Sequence, residues 1–370
     1  MVFSHQDQAF MQVALELAKK GQFTTTPNPA VGCVVVKNGE IIGRGFHQKA
    51  GEAHAEVMAL REAGENAQGA TAYVTLEPCS HYGRTPPCAL GLINAGVSKV
   101  VAAMQDPNPQ VAGNGLKMLS EAGIETAFGL LQDQAEQLNQ GFFTRMRTGR
   151  PFVRLKLGAS LDGRTALANG ESQWITSVQS RQDVQVERAK ASAILSTSAT
   201  VLADNPSLNV RWNELPESTK LVYPASNLRQ PIRIILDRQH QVQPSHRLFQ
   251  THSHVWLISE KARNMADFPD FCQHIQIEKT ASFLTAVLDE LGKRQINSLW
   301  VESGATLAGA FVEQHLVDEL VVYLAPKLLG EQARGLCKFS PLQRLADAPE
   351  FLLNGVQQIE NDVKLVYTRK

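Results

Sequence analysis

Four side chains in the first quarter of the chain carry enough chemistry to define a metal centre: His54, Glu56, Cys79 and Cys88. One imidazole and two thiolates fill three positions of tetrahedral zinc and leave the fourth for water, which separates a catalytic zinc from a closed structural one. Zinc lowers the pKa of such a water from about 15.7 towards ~7, so hydroxide becomes available at neutral pH. Glu56 is the acid–base group, because a carboxylate can take the water's proton and pass it to a ring nitrogen and then to a departing amine. Cysteines beside a helix N-terminus gain from the positive end of the dipole, which favours the metal-binding thiolate. Residues two apart do not share a face of a regular helix. The spacing of His54 and Glu56 therefore does not by itself bring both to one ion.

Positioning these groups requires elements, and the periodicity supplies them. Residues 6–20 place Phe10, Val13, Ala14 and Leu17 on one helical face, with Gly21 as a stop. Residues 31–37 and 40–46 flank Asn38-Gly39, the dipeptide best suited to a two-residue hairpin turn. A helix over 54–63, a strand over 71–76, a helix after Cys88, a strand over 99–104, and helices over 115–122 and 132–143 follow. Such alternation predicts helices layered on a largely parallel sheet. Gly149 and Pro151 punctuate an arginine-bearing connector. A boundary there divides the chain into domains 1–149 and 150–370. The second half has predicted strands over 152–157, 233–237, 255–259, 298–302 and 319–324, and helices over 181–191, 281–291 and 304–315, again α/β. Residues 213–230 read as an irregular, exposed loop.

A chain of 370 residues exceeds the ~250–300 that one core serves, in keeping with two domains. Hydrophobic residues at 43% and charged residues at 19% supply packed cores and no sign of extended disorder. Lys+Arg and Asp+Glu balance at 36 each and aromatics are 6%, which argues against a nucleic-acid groove. His5 and Asp7 interrupt the N-terminus where a signal peptide needs an apolar stretch, and no apolar run approaches the ~18 residues of a membrane span. The protein reads as cytoplasmic. Of the five cysteines, Cys33, Cys272 and Cys337 read as inert core residues rather than parts of a secreted disulfide framework. The oligomeric state stays open, a homo-oligomer included.

His54-Ala55-Glu56 with Pro78-Cys79 and Cys88 resembles the H-x-E and P-C…C elements of zinc-dependent base deaminases. Eight residues separate the cysteines where the general signature has two. That longer form, Thr-Leu-Glu-Pro-Cys-Ser-His-Tyr-Gly-Arg-Thr-Pro-Pro-Cys ending at Cys88, resembles the bifunctional riboflavin-biosynthesis deaminase-reductase family. Pro27-Asn28-Pro29-Ala30-Val31-Gly32 and Asp106-Pro107-Asn108-Pro109 are similar to its flanking motifs. The resemblance implies an N-terminal three-layer cytidine-deaminase-like domain and a C-terminal dihydrofolate-reductase-like α/β domain. It implies a phosphorylated pyrimidine as substrate, and zinc and NADPH as cofactors. By it Asn28 and His47 contact the deaminase substrate and Arg84 meets its phosphate.

The second half resembles the reductase domain of the same family at the motifs beginning at Lys156, Gly170, Val201 and Glu302. There the resemblance implies cofactor contacts at Gly158, Trp174, Thr200, Asp204, Gly304, Ala305, Thr306 and Leu307, and substrate contacts at Ser172, Arg188, Leu208, Arg211 and Glu302. Ser196-Thr197-Ser198 and Asn205 depart from the family's usual glycine-containing and aspartate forms. Residue chemistry alone says less here. No G-x-G-x-x-G follows a strand, but Gly304 and its small neighbours join a strand to a helix where a phosphate can approach backbone N–H groups. Two rival readings remain: a deaminase of another base or of nucleic acid with a non-catalytic C-terminal binding domain, and a zinc scaffold with a fourth protein ligand.

Overall fold

The Asn38-Gly39 dipeptide turns the chain with φ of 52° and 81°, the doubly positive geometry that a two-residue hairpin needs. It joins β1 (Gly32–Lys37) antiparallel to β2 (Glu40–Phe46). The computed structural model describes residues 3–82, 86–108 and 112–370. It divides into two units, Met1–Gly149 and Arg150–Lys370.

In the first unit β3 (Thr71–Val74) pairs antiparallel with β1, and β4 (Lys99–Ala102) and β5 (Glu125–Phe128) extend the sheet in parallel. The order is β2-β1-β3-β4-β5. Alternation along β1 decides the layers. Cys33 and Val35 face a core with α2 (Ala55–Ala63), α3 (Cys88–Asn94) and α4 (Asn114–Glu121). Val34 and Val36 face the opposite core, made with α1 (His5–Lys19), α5 (Gln132–Leu138) and α6 (Gln140–Thr148). A Cβ on Gly45 would stand 2.1 Å from the Ala55 carbonyl oxygen. Glycine there lets the start of α2 lie directly on β2.

The single helix expected over 132–143 is two, broken at Asn139, whose φ of −120° leaves the helical region. Its buried amide donates to the Ala30 carbonyl and accepts from the Ala30 N–H, both at 2.8 Å. A tertiary bond to another segment's backbone outweighs helix continuity.

The second unit contains β6 (Phe152–Ser160), β7 (Arg164–Ala166), α7 (Val178–Lys190), β8 (Ala193–Thr197), α8 (Ser198–Asp204) and α9 (Glu217–Val222). It continues through β9 (Ile232–Leu236), β10 (Val255–Ser259), β11 (Cys272–Gln276), α10 (Phe283–Lys293), β12 (Ser298–Glu302) and α11 (Ala305–Glu313). The last elements are β13 (Glu319–Ala325), β14 (Arg334–Gly335), β15 (Phe351–Ile359) and β16 (Asp362–Arg369). The sheet runs β11-β10-β9-β8-β12-β6-β13-β16-β15, parallel up to β13 and antiparallel beyond it. Helices α10 and α11 cover one face; α7 and α8 cover the other. Residues expected to form a loop at 213–230 include α9, closed by a Trp212 indole bond to the Tyr223 carbonyl at 2.8 Å. Among the described residues no helix is long and apolar enough to cross a membrane.

Candidate functional site

His54 is the N-cap of α2, with φ −74° and ψ 165°, so it has not yet entered the helix. Its ring is thereby released from the helical spacing that would separate it from Glu56 two residues on. Cys88 is the first residue of α3. Its N–H donates to Cys79 Sγ at 3.3 Å, and the next amide, of Ala89, donates to the Cys79 carbonyl at 3.1 Å. The start of α3 thus holds both ends of Cys79.

These elements bring His54, Cys79 and Cys88 together, with one ligand atom from each within 4.8 Å of the others. His54 Nδ1 lies 3.7 Å from Cys79 Sγ and 3.3 Å from Cys88 Sγ. Zinc bonds of ~2.3 Å to sulfur and ~2.1 Å to nitrogen at the tetrahedral angle separate those atoms by about 3.6 Å. The observed edges bracket that value, so the donor set and its spacing both fit zinc. A hydrogen bond from Cys88, with His54 nearby, draws the Cys79 thiol down to about 4. Cys88, bonded to Cys79 and buried, is held protonated. A second thiolate in this pocket calls for a cation.

Glu56 is 3% exposed and faces the same cluster, within hydrogen-bonding reach of Cys88. Burial raises its carboxyl to about 7, against the pull of His54. A group balanced near neutrality can accept and return a proton. His47 is buried next to His54, the two rings 5.2 Å apart and edge-on. His47 Nδ1 sits 3.1 Å from the Ala53 carbonyl, and Nε2 sits 3.1 Å from the Asn28 amide nitrogen. The carbonyl can only accept, so Nδ1 carries the proton and Nε2 accepts from Asn28. Burial lowers the His47 pKa, which keeps this tautomer neutral. Asn28 and His47 are therefore one hydrogen-bonded pair beside the ligands. Arg84 lies outside the described residues.

Two buried acids nearby were not singled out by sequence reasoning. Glu77 accepts four backbone N–H groups. Asp106 accepts the Asn108 N–H at 2.8 Å, and burial raises its carboxyl to about 6. Both lie in quoted motifs, but neither position carries a signal of burial.

In the second unit the carboxyl ends of the adjacent parallel strands β8, β12 and β6 collect several of the remaining positions, as parallel α/β sheets do. Beyond β8 come Thr200 and Asp204 on α8. β12 ends at Glu302, and beyond it comes the start of α11, Gly304 to Leu307. Gly158 lies past Lys156, the residue paired with Glu302 across β6 and β12. Ser303 Oγ is buried without a partner, and a Cβ on Gly304 would meet nothing within 4 Å. An orphaned hydroxyl and an open helix N-terminus fit a dinucleotide phosphate.

Arg188 and Glu302 hold each other in a bidentate pair at 2.6 and 2.8 Å, and the Arg188 guanidinium also donates to the Asn209 carbonyl. Half-buried Lys156 completes this group; burial lowers its pKa and Glu302 opposes that. Its place between Leu155 and Leu157 on a strand was the available signal. Trp174 is exposed beneath the Arg181 guanidinium, 4.4 Å from its ring centre. Ser172 precedes it in the same connection, partly exposed. Arg211 pairs with Glu214. The Leu208 side chain lies in the core on the α7 face, leaving only its backbone for a ligand. Asn205 ends α8 at φ 43°, and its side chain accepts the Arg247 N–H. Both properties suit asparagine at that cap.

The family described as the cytidine and deoxycytidylate deaminase zinc-binding region matches residues 4–104, and the RibD C-terminal domain matches residues 151–365. The riboflavin biosynthesis protein RibD of Haemophilus influenzae is 65% identical, aligned over 100% of this chain and 99% of that one. The chain belongs to the RibD family. The Escherichia coli RibD is 59% identical over 97% of this chain and 98% of its own. Among solved structures, Acinetobacter baumannii RibD superposes with a TM-score of 0.92 at 46% identity, covering 99% of both chains. A Thermotoga maritima diaminohydroxyphosphoribosylaminopyrimidine deaminase/5-amino-6-(5-phosphoribosylamino)uracil reductase superposes at 0.86 with 34% identity, again over 99% of both. Membership of the RibD family accounts for a deaminase-type centre and a reductase-type sheet in one chain.

Proposed function

We propose that the chain catalyses two consecutive reactions of riboflavin biosynthesis. The first is hydrolytic deamination of 2,5-diamino-6-(5-phosphoribosylamino)pyrimidin-4-one. The second is NADPH-dependent reduction of the ribosyl group of 5-amino-6-(5-phosphoribosylamino)uracil to its ribityl form. The observation that carries the reading is the convergence of His54, Cys79 and Cys88 with buried Glu56, in a chain related to RibD along its whole length.

His54 Nδ1 and the two sulfurs would hold zinc, which when bound would supply the Lewis acidity that activates water at neutral pH. Glu56 takes one proton of the attacking water and delivers it to the ring nitrogen, then takes the second from the hydroxyl newly added to the ring carbon and delivers it to the departing ammonia. Asn28, oriented by His47, offers its other N–H and its carbonyl oxygen to the edge of the pyrimidine. Arg84 is assigned to the substrate phosphate, where an arginine makes bidentate contacts.

At the second sheet the first-turn amides of α11, Ala305 to Leu307, with Gly304 and Ser303, would hold an NADPH phosphate. Those amides are among the donors a helix cannot satisfy internally. Gly158, Trp174, Thr200 and Asp204 would flank the cofactor, which when bound would supply the hydride. Ser172, Arg188, Leu208 through its backbone, Arg211 and Glu302 contact the sugar phosphate, with the Arg188–Glu302 pair fixing both charged groups in one orientation.

Glu56→Gln tests the first half. It keeps the three metal ligands and removes the proton carrier, so zinc content measured by metal analysis stays at the wild-type level. Ammonia release falls by roughly two orders of magnitude or more. Near-normal ammonia release from the zinc-loaded variant would falsify the mechanism.

A further inference from the structure

We infer that Glu77 and Gly115 are positioning residues that set the zinc ligand Cys79 in place. The inference rests on the zinc reading and deepens it. Glu77 is 4% exposed, two residues before Cys79, and its carboxylate spends both oxygens on backbone. Oε2 accepts from the N–H of Asp106 at 3.1 Å and of Gly113 at 2.9 Å. Oε1 accepts from Gly115 at 2.9 Å and Leu116 at 3.2 Å.

Gly115 and Leu116 are the second and third residues of α4, whose N-cap, Gly113, makes no side-chain cap. Glu77 therefore caps α4 from another segment, with its negative charge at the positive end of the helix. Its own N–H is anchored on the Met104 carbonyl at 3.0 Å.

Gly115 supplies the other half of the contact. A Cβ there would stand 1.9 Å from the Pro78 carbonyl oxygen and 3.2 Å from Glu77 Oε1. Only a residue without a side chain lets α4 press on the peptide that leads into Cys79. Cys79 is thus fixed from two helix starts: α4 acts through Glu77 and Pro78, and α3 through the sulfur and carbonyl of Cys79 itself.

Glutamine at 77 keeps the shape but turns an NH2 towards amides that also donate. At least one pair of those bonds is lost, and the Pro78–Cys79 peptide loses its support. Alanine at 115 displaces the same peptide sterically and leaves the carboxylate intact. Two different chemical changes should therefore have one effect on the metal.

The test uses full-length wild type, Glu77→Gln and Gly115→Ala, stripped of metal and titrated with Co2+ against a competing chelator. Thiolate-to-cobalt absorption and far-ultraviolet circular dichroism are recorded together. Both variants should keep the wild-type dichroism, bind cobalt about 10–100-fold more weakly, as lost metal-site support does, and show a shifted absorption band. Wild-type affinity and spectrum in both folded variants overturn the inference, as does a fall in melting temperature without either change. Should Glu77→Gln not fold, Gly115→Ala decides by the same criteria. Failure of the wild type itself to bind cobalt would instead remove the zinc reading.

Discussion

At the scale of single residues, chemistry was legible where a side chain's type dictates its partner. Two thiols, an imidazole and a carboxylate within 35 residues read as a zinc centre, and His54, Cys79 and Cys88 converge. The doubt raised by the two-residue spacing of His54 and Glu56 dissolves because His54 caps its helix rather than occupying it. Glu77 was not legible. Its four donors lie 29 to 39 residues away, and a glutamate before proline looks like a surface charge until that backbone is in place.

Glu302 shows how a pair of predicted contact residues also carries stability. Burial works against its charge, but Arg188 and the Trp300 indole outweigh it and hold the carboxyl at about 2, against an ordinary 4.5. A depressed carboxylate contributes stability above its unfolded pKa and loses it as pH falls towards the folded value. Glu302→Gln strands the Arg188 guanidinium and should lower the unfolding free energy by roughly 3 kcal/mol at neutral pH. Urea titrations should show that gap narrowing as pH drops from 4.5 towards 2. A gap that stays constant across the window would mean the ion pair is not its origin.

At the scale of elements, periodicity found amphipathic helices, and apolar runs found strands such as β9 and β10 that are buried on both faces. The hairpin, α2 and the strands leading to the site were readable. β15 was not, because its side chains are exposed or half-exposed along its whole length, so no alternation marks it. β8 is buried on both faces and ends in Thr197, where a Ser-Thr-Ser run resembles a turn. The break between α5 and α6 was invisible for another reason, since it follows from the bond of Asn139 to Ala30.

That bond ties an element boundary to the proposed substrate segment, because Ala30 lies two residues from Asn28. Asn139→Ala leaves the Ala30 N–H and carbonyl unpaired, at about 1–3 kcal/mol. Chemical denaturation should show this loss. KM for deamination should rise while NADPH oxidation with the deaminated substrate keeps its rate. An unchanged KM would separate Asn139 from the substrate segment.

At the scale of the whole molecule, length pointed to two domains, the alternation of helices and strands to an α/β class, and the cysteine spacing narrowed the family. The reductase half was legible by resemblance, not by physics: the edge proposed to bind phosphate lacks a glycine fingerprint and offers one helix start after Glu302-Ser-Gly. The unpartnered Ser303 hydroxyl and the open space at Gly304 are properties of the folded edge alone.

The central claim is that one chain deaminates and then reduces. Ammonia and NADPH should be followed together in one reaction started from 2,5-diamino-6-(5-phosphoribosylamino)pyrimidin-4-one. The account predicts one NADPH oxidised per ammonia released, with ammonia appearing first. Glu56→Gln should abolish both signals from this substrate yet oxidise NADPH normally when given 5-amino-6-(5-phosphoribosylamino)uracil. NADPH oxidation from the diamino substrate by Glu56→Gln, or ammonia release by the wild type with no NADPH consumed, would contradict it.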